Sequence, residues 1–150
     1  MRAVVQRVTQ ASVTVEGEVV GQIGGGLCAL VGVGQRDSER ECLLLADKLL
    51  QLRIFDDESG KLNRSLLDVS GQLLAVSQFT LYGDVSKGRR PSFGAAMDPV
   101  QAAVLFERFC EACRGRGVEV ATGRFRTHMS VSLVNEGPVT LILDTEKAPP

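Results

Sequence analysis

Two apolar runs constrain the fold of this chain more than any other feature of its sequence. One covers residues 27–33 and follows Gly24-Gly25-Gly26, and the other covers residues 72–79; both contain Leu, Val and Ala. A short apolar run bounded by turn residues is typical of a strand buried inside a sheet. A buried strand needs other elements packed against it, so the sequence predicts a layered fold.

Two further segments have the signals of α-helices. Asp37 or Ser38 can cap a helix that continues to about Arg53, because Leu and Ala recur there at helical spacing. Asp98-Pro99 opens a second helix, and the glycine-containing segment 115–117 predicts its end. The residues predicted to face inward on the second helix are Val104, Leu105 and Phe109.

The remaining signals complete an α/β pattern. Runs of β-branched residues predict a strand over residues 2–8 and a hairpin over residues 12–20 that turns at Glu16-Gly17. Three closing strands are predicted at residues 118–120, 128–134 and 139–143. This order predicts a single α/β domain over residues 1–145, with a mixed sheet, two main helices and a second sheet layer. Residues 146–150 are expected to form a flexible tail.

Composition and charge exclude several classes of protein. With 44% hydrophobic and 23% charged residues, the 150-residue chain is typical of a globular domain. It contains no run of roughly 20 apolar residues and no signal-peptide pattern, so we expect a cytoplasmic protein without a membrane partner. Its formal charge of −1 means that any RNA contact must use a local basic patch. The candidates, equally explained as solvated loop charges, are Lys87, Arg89, Arg90, Arg124 and Arg126.

The sequence offers little for familiar catalytic and cofactor chemistry. Cys110 and Cys113 have the spacing of a redox or metal pair, but they fall in the middle of a predicted helix, where a thiolate is not stabilised. The glycines at 24–26 and 32–34 lack the other residues of a phosphate loop and are interpreted as turn glycines. His128 is the only histidine, so neither a zinc site nor a catalytic triad is indicated. We expect no metal and no cofactor.

Two polar segments lie at the ends of predicted strands. Ser77-Gln78-Phe79-Thr80-Leu81 ends a buried strand, and a long loop over residues 83–99 follows it. Asn135-Glu136-Gly137-Pro138-Val139-Thr140 joins two of the closing strands. Within it, Gly137 permits a close backbone approach and Pro138 fixes φ. Taken separately, the segments are better explained as a strand end and a turn.

In register, the two segments resemble the D-aminoacyl-tRNA deacylase family. The resemblance runs from residue 1 to about residue 144 and also rests on residues 1–8, 52–55, 87–93 and 131–134. It implies a three-layer β/β/α fold and a homodimer with active sites at the subunit interface. The implied function is a proofreading hydrolase that acts on D-aminoacyl-tRNA and on glycyl-tRNA mischarged on tRNA-Ala.

The resemblance implies a catalytic segment formed by Ser77, Gln78, Phe79 and Thr80. Main-chain N–H groups around Phe79 and Thr80 are candidates for stabilising the oxyanion of ester hydrolysis. Thr80 could instead act as a nucleophile, but the sequence offers it no obvious base. In the family view, the terminal 2′-OH of the tRNA assists the attack by water.

The resemblance also implies residues for selectivity and for nucleotide binding. Gly137 and Pro138, joined by a cis peptide bond, would enter the partner's pocket and reject L-amino acids, and Arg7 would hold their loop. The family commonly has Gly-Ala where this chain has Arg126-Thr127, which would narrow or recharge the adenosine pocket. The residues implied to bind the terminal adenosine are Phe125 and Met129.

Two alternatives remain open at this point. A non-catalytic RNA-binding module would use Phe125 and the basic loop, and it would bind tRNA without hydrolysing it. A thiol redox protein would depend on Cys110 and Cys113.

Overall fold

The computed structural model describes residues 1–147 and contains one six-stranded mixed sheet, a two-stranded ribbon and two α-helices. The helices are α1 (Glu39–Gln51) and α2 (Pro99–Arg114), and 3-10 turns cover Phe79–Tyr82 and Thr145–Lys147. None of the helices in residues 1–147 has both the length and the apolar character needed to cross a bilayer. The strands are β1 (Arg2–Val15), β2 (Glu18–Ile23), β3 (Gly26–Gly32), β4 (Phe55–Asp56), β5 (Leu62–Arg64), β6 (Gln72–Ser77), β7 (Val120–Thr122) and β8 (Ser130–Asp144).

Strand β1 organises the sheet because it pairs with three other strands. Its first half lies antiparallel to β3, its second half lies antiparallel to β2, and β8 runs along its other edge. Strands β6 and β7 extend the sheet in parallel from β3. The turn between β1 and β2 uses Glu16 (φ 50°) and Gly17 (φ 81°), which confirms the predicted hairpin.

The side chains of the central strands alternate between two hydrophobic cores. In β6, Leu73 and Ala75 join the core beneath the helices, whereas Leu74 and Val76 join a core whose buried residues all come from strands. The sheet curls until β2 reaches β7, so that a Cβ atom on Gly21 would lie 2.2 Å from the carbonyl oxygen of Thr122. The predicted three-layer β/β/α fold is therefore confirmed, and the apolar runs exist because both faces of β3 and β6 are covered.

Both helices begin where the sequence predicts. Ser38 caps α1 in a capping box, in which the Glu41 carboxylate accepts a hydrogen bond from the Ser38 amide (2.8 Å). Asp98 caps α2 by accepting from the amides of Val100 (3.1 Å) and Gln101 (3.2 Å).

The predicted inward face of α2 is partly wrong. Phe109 is fully buried and Leu105 is partly buried, but Val104 is 66% exposed. Helical spacing of three and four residues places the buried residues on one stripe, and position 104 falls between two of its members on the opposite side of the helix. The buried stripe consists of Ala102, Phe106, Phe109, Cys110 and Cys113.

The predicted closing strands differ from the observed ones. Strand β7 begins at Val120, whereas the sequence predicted a strand over residues 118–120. The two strands expected at 128–134 and 139–143 form one long strand, β8, because pairing with β1 resumes beyond an irregularity at residues 136–139. Of the expected tail, Glu146 and Lys147 belong to the last 3-10 turn, and residues 148–150 lie outside the described part of the chain.

We predict that the native protein resists thiol labelling. All four cysteines are buried, and burial raises the pKa of the Cys110 and Cys113 thiols to about 12. Iodoacetamide at pH 8, followed by mass spectrometry, should therefore leave Cys28, Cys42, Cys110 and Cys113 unmodified in the native state and modify all four in urea. Rapid native labelling of Cys110 and Cys113 would instead favour the thiol redox alternative.

Candidate active site

The site is built where β6 ends. Pairing of β6 with β3 reaches Ser77, and the Gln78 amide still donates to the Val31 carbonyl at 2.8 Å. The chain then turns into the 3-10 turn Phe79–Tyr82, so the strand predicted to continue to residue 79 is two residues too long. The first amides of a helical turn have no acceptor within it. In residues 1–147, the structure also gives the amides of Phe79 and Thr80 no acceptor outside this turn.

Two glycines let the 3-10 turn pack closely against the end of β3. A Cβ atom on Gly32 would lie 3.0 Å from the Gln78 carbonyl oxygen and 3.2 Å from Leu81 Cβ. A Cβ atom on Gly34 would lie 2.7 Å from the Tyr82 ring. The glycines at 32–34, interpreted from sequence as turn residues, thus permit a close approach between two segments.

A polar network fixes the far side of the turn. The Arg2 guanidinium lies 4.4 Å above the Tyr82 ring and donates to the Leu81 carbonyl (3.3 Å) and to Asp144 (3.3 Å). Tyr82 is buried and donates to Asp37 at 3.4 Å. Burial, reinforced by the nearby Asp37 carboxylate, raises the pKa of Tyr82, so its hydroxyl stays protonated and remains a donor.

Asp37 connects this network to the start of the chain. Its carboxylate accepts from the α-ammonium group of Met1 (2.6 Å) and from the Gly34 amide (2.6 Å), and its side chain is only 3% exposed. A buried carboxylate with these partners is satisfied, and removal of one partner would leave an uncompensated charge. The sequence suggested Asp37 only as a helix cap, because two of its partners, Met1 and Tyr82, come from distant positions.

A pocket of about 740 Å³ lies in front of the turn. Ser77, Gln78 and Phe79 line one side, while Phe125 and Met129 line another. The structure therefore brings together the predicted catalytic segment and the predicted adenosine-binding residues. The remaining lining residues are Val33, Val76, Phe93, Ala96, Met97, Asp98, Pro99, Ala102, Arg126, Thr127, His128 and Val131.

Aromatic rings form much of the pocket wall. Phe79 is 57% exposed, and its ring lies edge-on to the ring of Phe93 at 4.9 Å. Phe125 is anchored behind by Phe106, with ring centroids 6.3 Å apart. Phe93 was not among the predicted site residues, because an aromatic residue in a loop has no periodic signal. Thr80 does not line the pocket; its hydroxyl accepts a hydrogen bond from the Gln78 side chain.

The second predicted segment forms a bulge opposite Arg7. Gln6 pairs with Thr140 and Val8 pairs with Asn135, so one residue of β1 faces the four residues 136–139 of β8. The Gly137–Pro138 peptide bond is cis, and Gly137 has φ 132°. Among the residues that line the pocket, neither Gly137, Pro138 nor Arg7 is present. Within one chain, the two predicted parts of the site are therefore separate.

Arg7 holds the bulge from beneath. It is buried, and its Nε donates to the Glu136 carbonyl at 3.0 Å. Its Nη1 donates to the Ile54 carbonyl (3.0 Å) and to Asp56 (3.2 Å). The guanidinium thus connects the bulge to the ribbon formed by β4 and β5.

Asn135 closes the bulge from the side, a role that the sequence did not reveal. Its Oδ1 accepts from the Val139 amide (2.8 Å), and its Nδ2 donates to the Val139 carbonyl (3.2 Å) and the Thr140 hydroxyl (2.9 Å). The side-chain amide of an asparagine can form the same hydrogen bonds to a residue's N–H and C=O groups as a backbone amide would. That function becomes evident only when the register with β1 is known.

Comparison with known proteins identifies the family of this chain. A family model described as D-Tyr-tRNA(Tyr) deacylase matches residues 4–144. The chain belongs to this family. The resemblance seen in the sequence is thereby confirmed.

Family members named D-aminoacyl-tRNA deacylase are similar over nearly their whole length. A protein from Symbiobacterium thermophilum is 58% identical over 147 residues, which cover 98% of this chain and 97% of the relative. One from Myxococcus xanthus is 59% identical over 145 residues, which cover 97% and 95%.

Solved structures share the fold. A c-Myc DNA unwinding element binding protein superposes with a TM-score of 0.91 at 43% identity, covering 97% of this chain and 99% of the other. A probable eukaryotic D-amino acid tRNA deacylase gives a TM-score of 0.81 at 23% identity, covering 95% and 97%. The second likeness concerns the fold alone.

We predict that Gly34→Ala destabilises the protein by about 1–3 kcal/mol, because the added methyl group overlaps the fixed Tyr82 ring. The measurement is the midpoint of urea unfolding. Gly25→Ala is the matched control, because a Cβ atom there meets nothing within 4 Å. Equal midpoints for the two variants would show that the turn at Tyr82 is not closely packed.

Proposed function

We propose that the protein is a cytoplasmic proofreading hydrolase that cleaves the ester bond of D-aminoacyl-tRNA, and of glycyl-tRNA mischarged on tRNA-Ala. The main support for this proposal is the family match over residues 4–144 together with a pocket at the end of β6. The pocket joins backbone donors to an aromatic wall, which suits an ester attached to a nucleoside.

We assign the chemistry mainly to the backbone. Phe79 lines the pocket and Thr80 directly follows it. Their two amides stabilise the oxyanion that forms when water attacks the ester carbonyl, and each such donor contributes about 3–4 kcal/mol. The Gln78 amide is not available for this role, because it donates to Val31. The sheet and the packed turn hold the two free amides in place before the substrate binds.

The side chains of the pocket support this assignment. The titratable groups among its lining residues are Asp98, Arg126 and His128. Both oxygens of Asp98 cap α2, and within residues 1–147 no hydrogen bond orients the exposed His128 side chain. Among residues 1–147, the only side chain hydrogen-bonded to the Thr80 hydroxyl is Gln78, a donor that cannot act as a base. We therefore assign assistance of the water attack to the terminal 2′-OH of the tRNA.

The aromatic wall is suited to the terminal adenosine. Phe125 is backed by Phe106, and Met129 packs on the sheet core, so both side chains offer firmly held apolar surface. Stacking of a base on an aromatic ring typically contributes about 1–3 kcal/mol.

Selectivity is assigned to the bulge of a partner subunit. In this proposal two chains form a homodimer, and Gly137 and Pro138 of the partner's bulge enter the pocket, which lies apart from the bulge of its own chain. A fixed main-chain carbonyl beside the substrate Cα leaves space for hydrogen but not for an L side chain. The pocket also accepts glycine, because glycine has two hydrogens and no side chain at its Cα. Strand β8 supports the dimer, because it exposes four large apolar side chains: Val131, Val134, Leu141 and Ile142.

We predict that the protein hydrolyses D-Tyr-tRNA faster than L-Tyr-tRNA by at least about 100-fold, because exclusion of a side-chain carbon supplies discrimination of that order. The measurement is release of the labelled amino acid under identical conditions. Equal rates, or no turnover of the D-ester, would contradict the proposed function. Salt-sensitive binding without hydrolysis would favour the RNA-binding alternative.

A variant of the bulge separates selectivity from chemistry. Asn135→Ala removes three hydrogen bonds that close the bulge, so the L-ester should be hydrolysed faster relative to the D-ester. An unchanged ratio in a folded variant would show that Asn135 does not position the selectivity loop.

We predict that the Thr80→Ala variant hydrolyses D-aminoacyl-tRNA with a kcat within about tenfold of the wild-type value. Removal of a true nucleophile would lower kcat by a factor on the order of 10⁶. A tRNA ending in 2′-deoxyadenosine should be turned over at less than about a hundredth of the normal rate. The two measurements are made with the same D-amino acid. An inactive Thr80→Ala variant and normal turnover of the deoxy substrate would instead identify Thr80 as the nucleophile.

A further inference from the structure

The pocket wall carries one guanidinium group, that of Arg126. The side chain is exposed, and within residues 1–147 it forms neither an ion pair nor a side-chain hydrogen bond. The one carboxylate among the lining residues, Asp98, is occupied by the amides at the start of α2. The charge of Arg126 is therefore available to a ligand in the pocket.

The backbone at Arg126 is unusual for a residue with a long side chain. Its φ is 58°, in the left-handed region that favours glycine or asparagine. The turn is held by the Thr127 hydroxyl, which donates to the Arg124 carbonyl at 2.8 Å. An arginine in this conformation contributes a positive charge to the pocket wall at a position where glycine would be easier to accommodate.

A basic loop precedes the pocket residue Phe93 in the chain. The loop that precedes Phe93 is closed by an antiparallel bridge between Asp84 and Ser92 and carries three exposed basic residues. Those residues are Lys87, Arg89 and Arg90. In a chain with a formal charge of −1, positive charge is thus present both in the pocket wall and in an adjoining loop. The pattern suits a polyanion whose end enters the pocket.

We propose that Arg126 binds a backbone phosphate at the 3′ end of the tRNA. This inference rests on the proposed function, because it takes the pocket to hold the terminal nucleoside. The planar guanidinium can donate two parallel hydrogen bonds to phosphate oxygens, which a compact ammonium group cannot do. Arg126 is then a residue that selects a nucleotide over a free nucleoside ester, and it takes no part in the ester chemistry.

The test variant is Arg126→Asn, which removes the charge but tolerates the left-handed backbone. On D-Tyr-tRNA we expect KM to rise about five- to tenfold, with the loss in KM rather than in kcat. The slope of log KM against log salt concentration should fall by about 0.7, the value for one lost contact to single-stranded phosphate. Arg36→Asn is the control for the change of charge, because Arg36 is 86% exposed and does not line the pocket. The substitution removes only a surface ion pair with Glu146.

Three substrates show which phosphate is bound. They are D-Tyr-tRNA, the 3′-O-D-tyrosyl ester of adenosine 5′-monophosphate, and the same ester of adenosine. A loss already seen with the monophosphate ester assigns the phosphate of the terminal nucleotide, and a loss seen only with tRNA assigns a preceding one. An equal loss with the phosphate-free ester, or no loss with any substrate, would overturn the proposal.

A binding experiment keeps this inference separate from the proposed function. The probe is the trinucleotide CCA, titrated into the original protein and into the Arg126→Asn and Arg126→Lys variants. We expect weaker binding for Asn and intermediate binding for Lys. If the protein does not hydrolyse D-Tyr-tRNA but Arg126→Asn still weakens CCA binding, the proposed function fails and the phosphate contact stands. If CCA binds all variants equally, the phosphate contact fails.

Discussion

Burial of strands β3 and β6 on both faces is the constraint on which the rest of the structure depends. Helices cover one face, and the curled part of the same sheet covers the other. Two-sided burial requires apolar residues at successive positions and leaves polar groups only where a strand ends. The pocket therefore lies at the end of β6, where the backbone leaves the sheet and its amides cease to be paired.

Close packing then determines the shape of that strand end. Gly32 and Gly34 allow the 3-10 turn to approach β3, and Tyr82 anchors the turn through Asp37 and Arg2. The free amides of Phe79 and Thr80 in this turn can stabilise an oxyanion without a side-chain base nearby. An enzyme built on fixed backbone dipoles does not depend on a titratable side chain in its pocket.

The bulge of β8 is a second rigid device, held by Arg7 and Asn135 and separate from the pocket of its own chain. Rigidity suits a part that discriminates by excluding atoms, because a loop that yields cannot reject a larger ligand. The exposed apolar side chains of the same strand support the proposal that a second copy joins the bulge to the pocket. Binding of the RNA, by contrast, is assigned to exposed cations such as Arg126, whose contacts are electrostatic and depend on salt.

The sequence by itself determined the fold class, the hairpin at Glu16-Gly17, both helix starts and the family, because each of these depends on local chemistry or on motifs in order. Local periodicity failed where long-range contacts decide the outcome. Pairing with β1 joined the two predicted closing strands into β8, and packing against β3 ended β6 at Ser77. Only the tertiary structure showed that Asp37 and Tyr82 support the candidate site, since their partners are spread along the chain. The role of Asn135 was also hidden, because the bulge that it closes is defined by the register with β1. A hydrogen bond between distant residues leaves no local pattern in a single sequence.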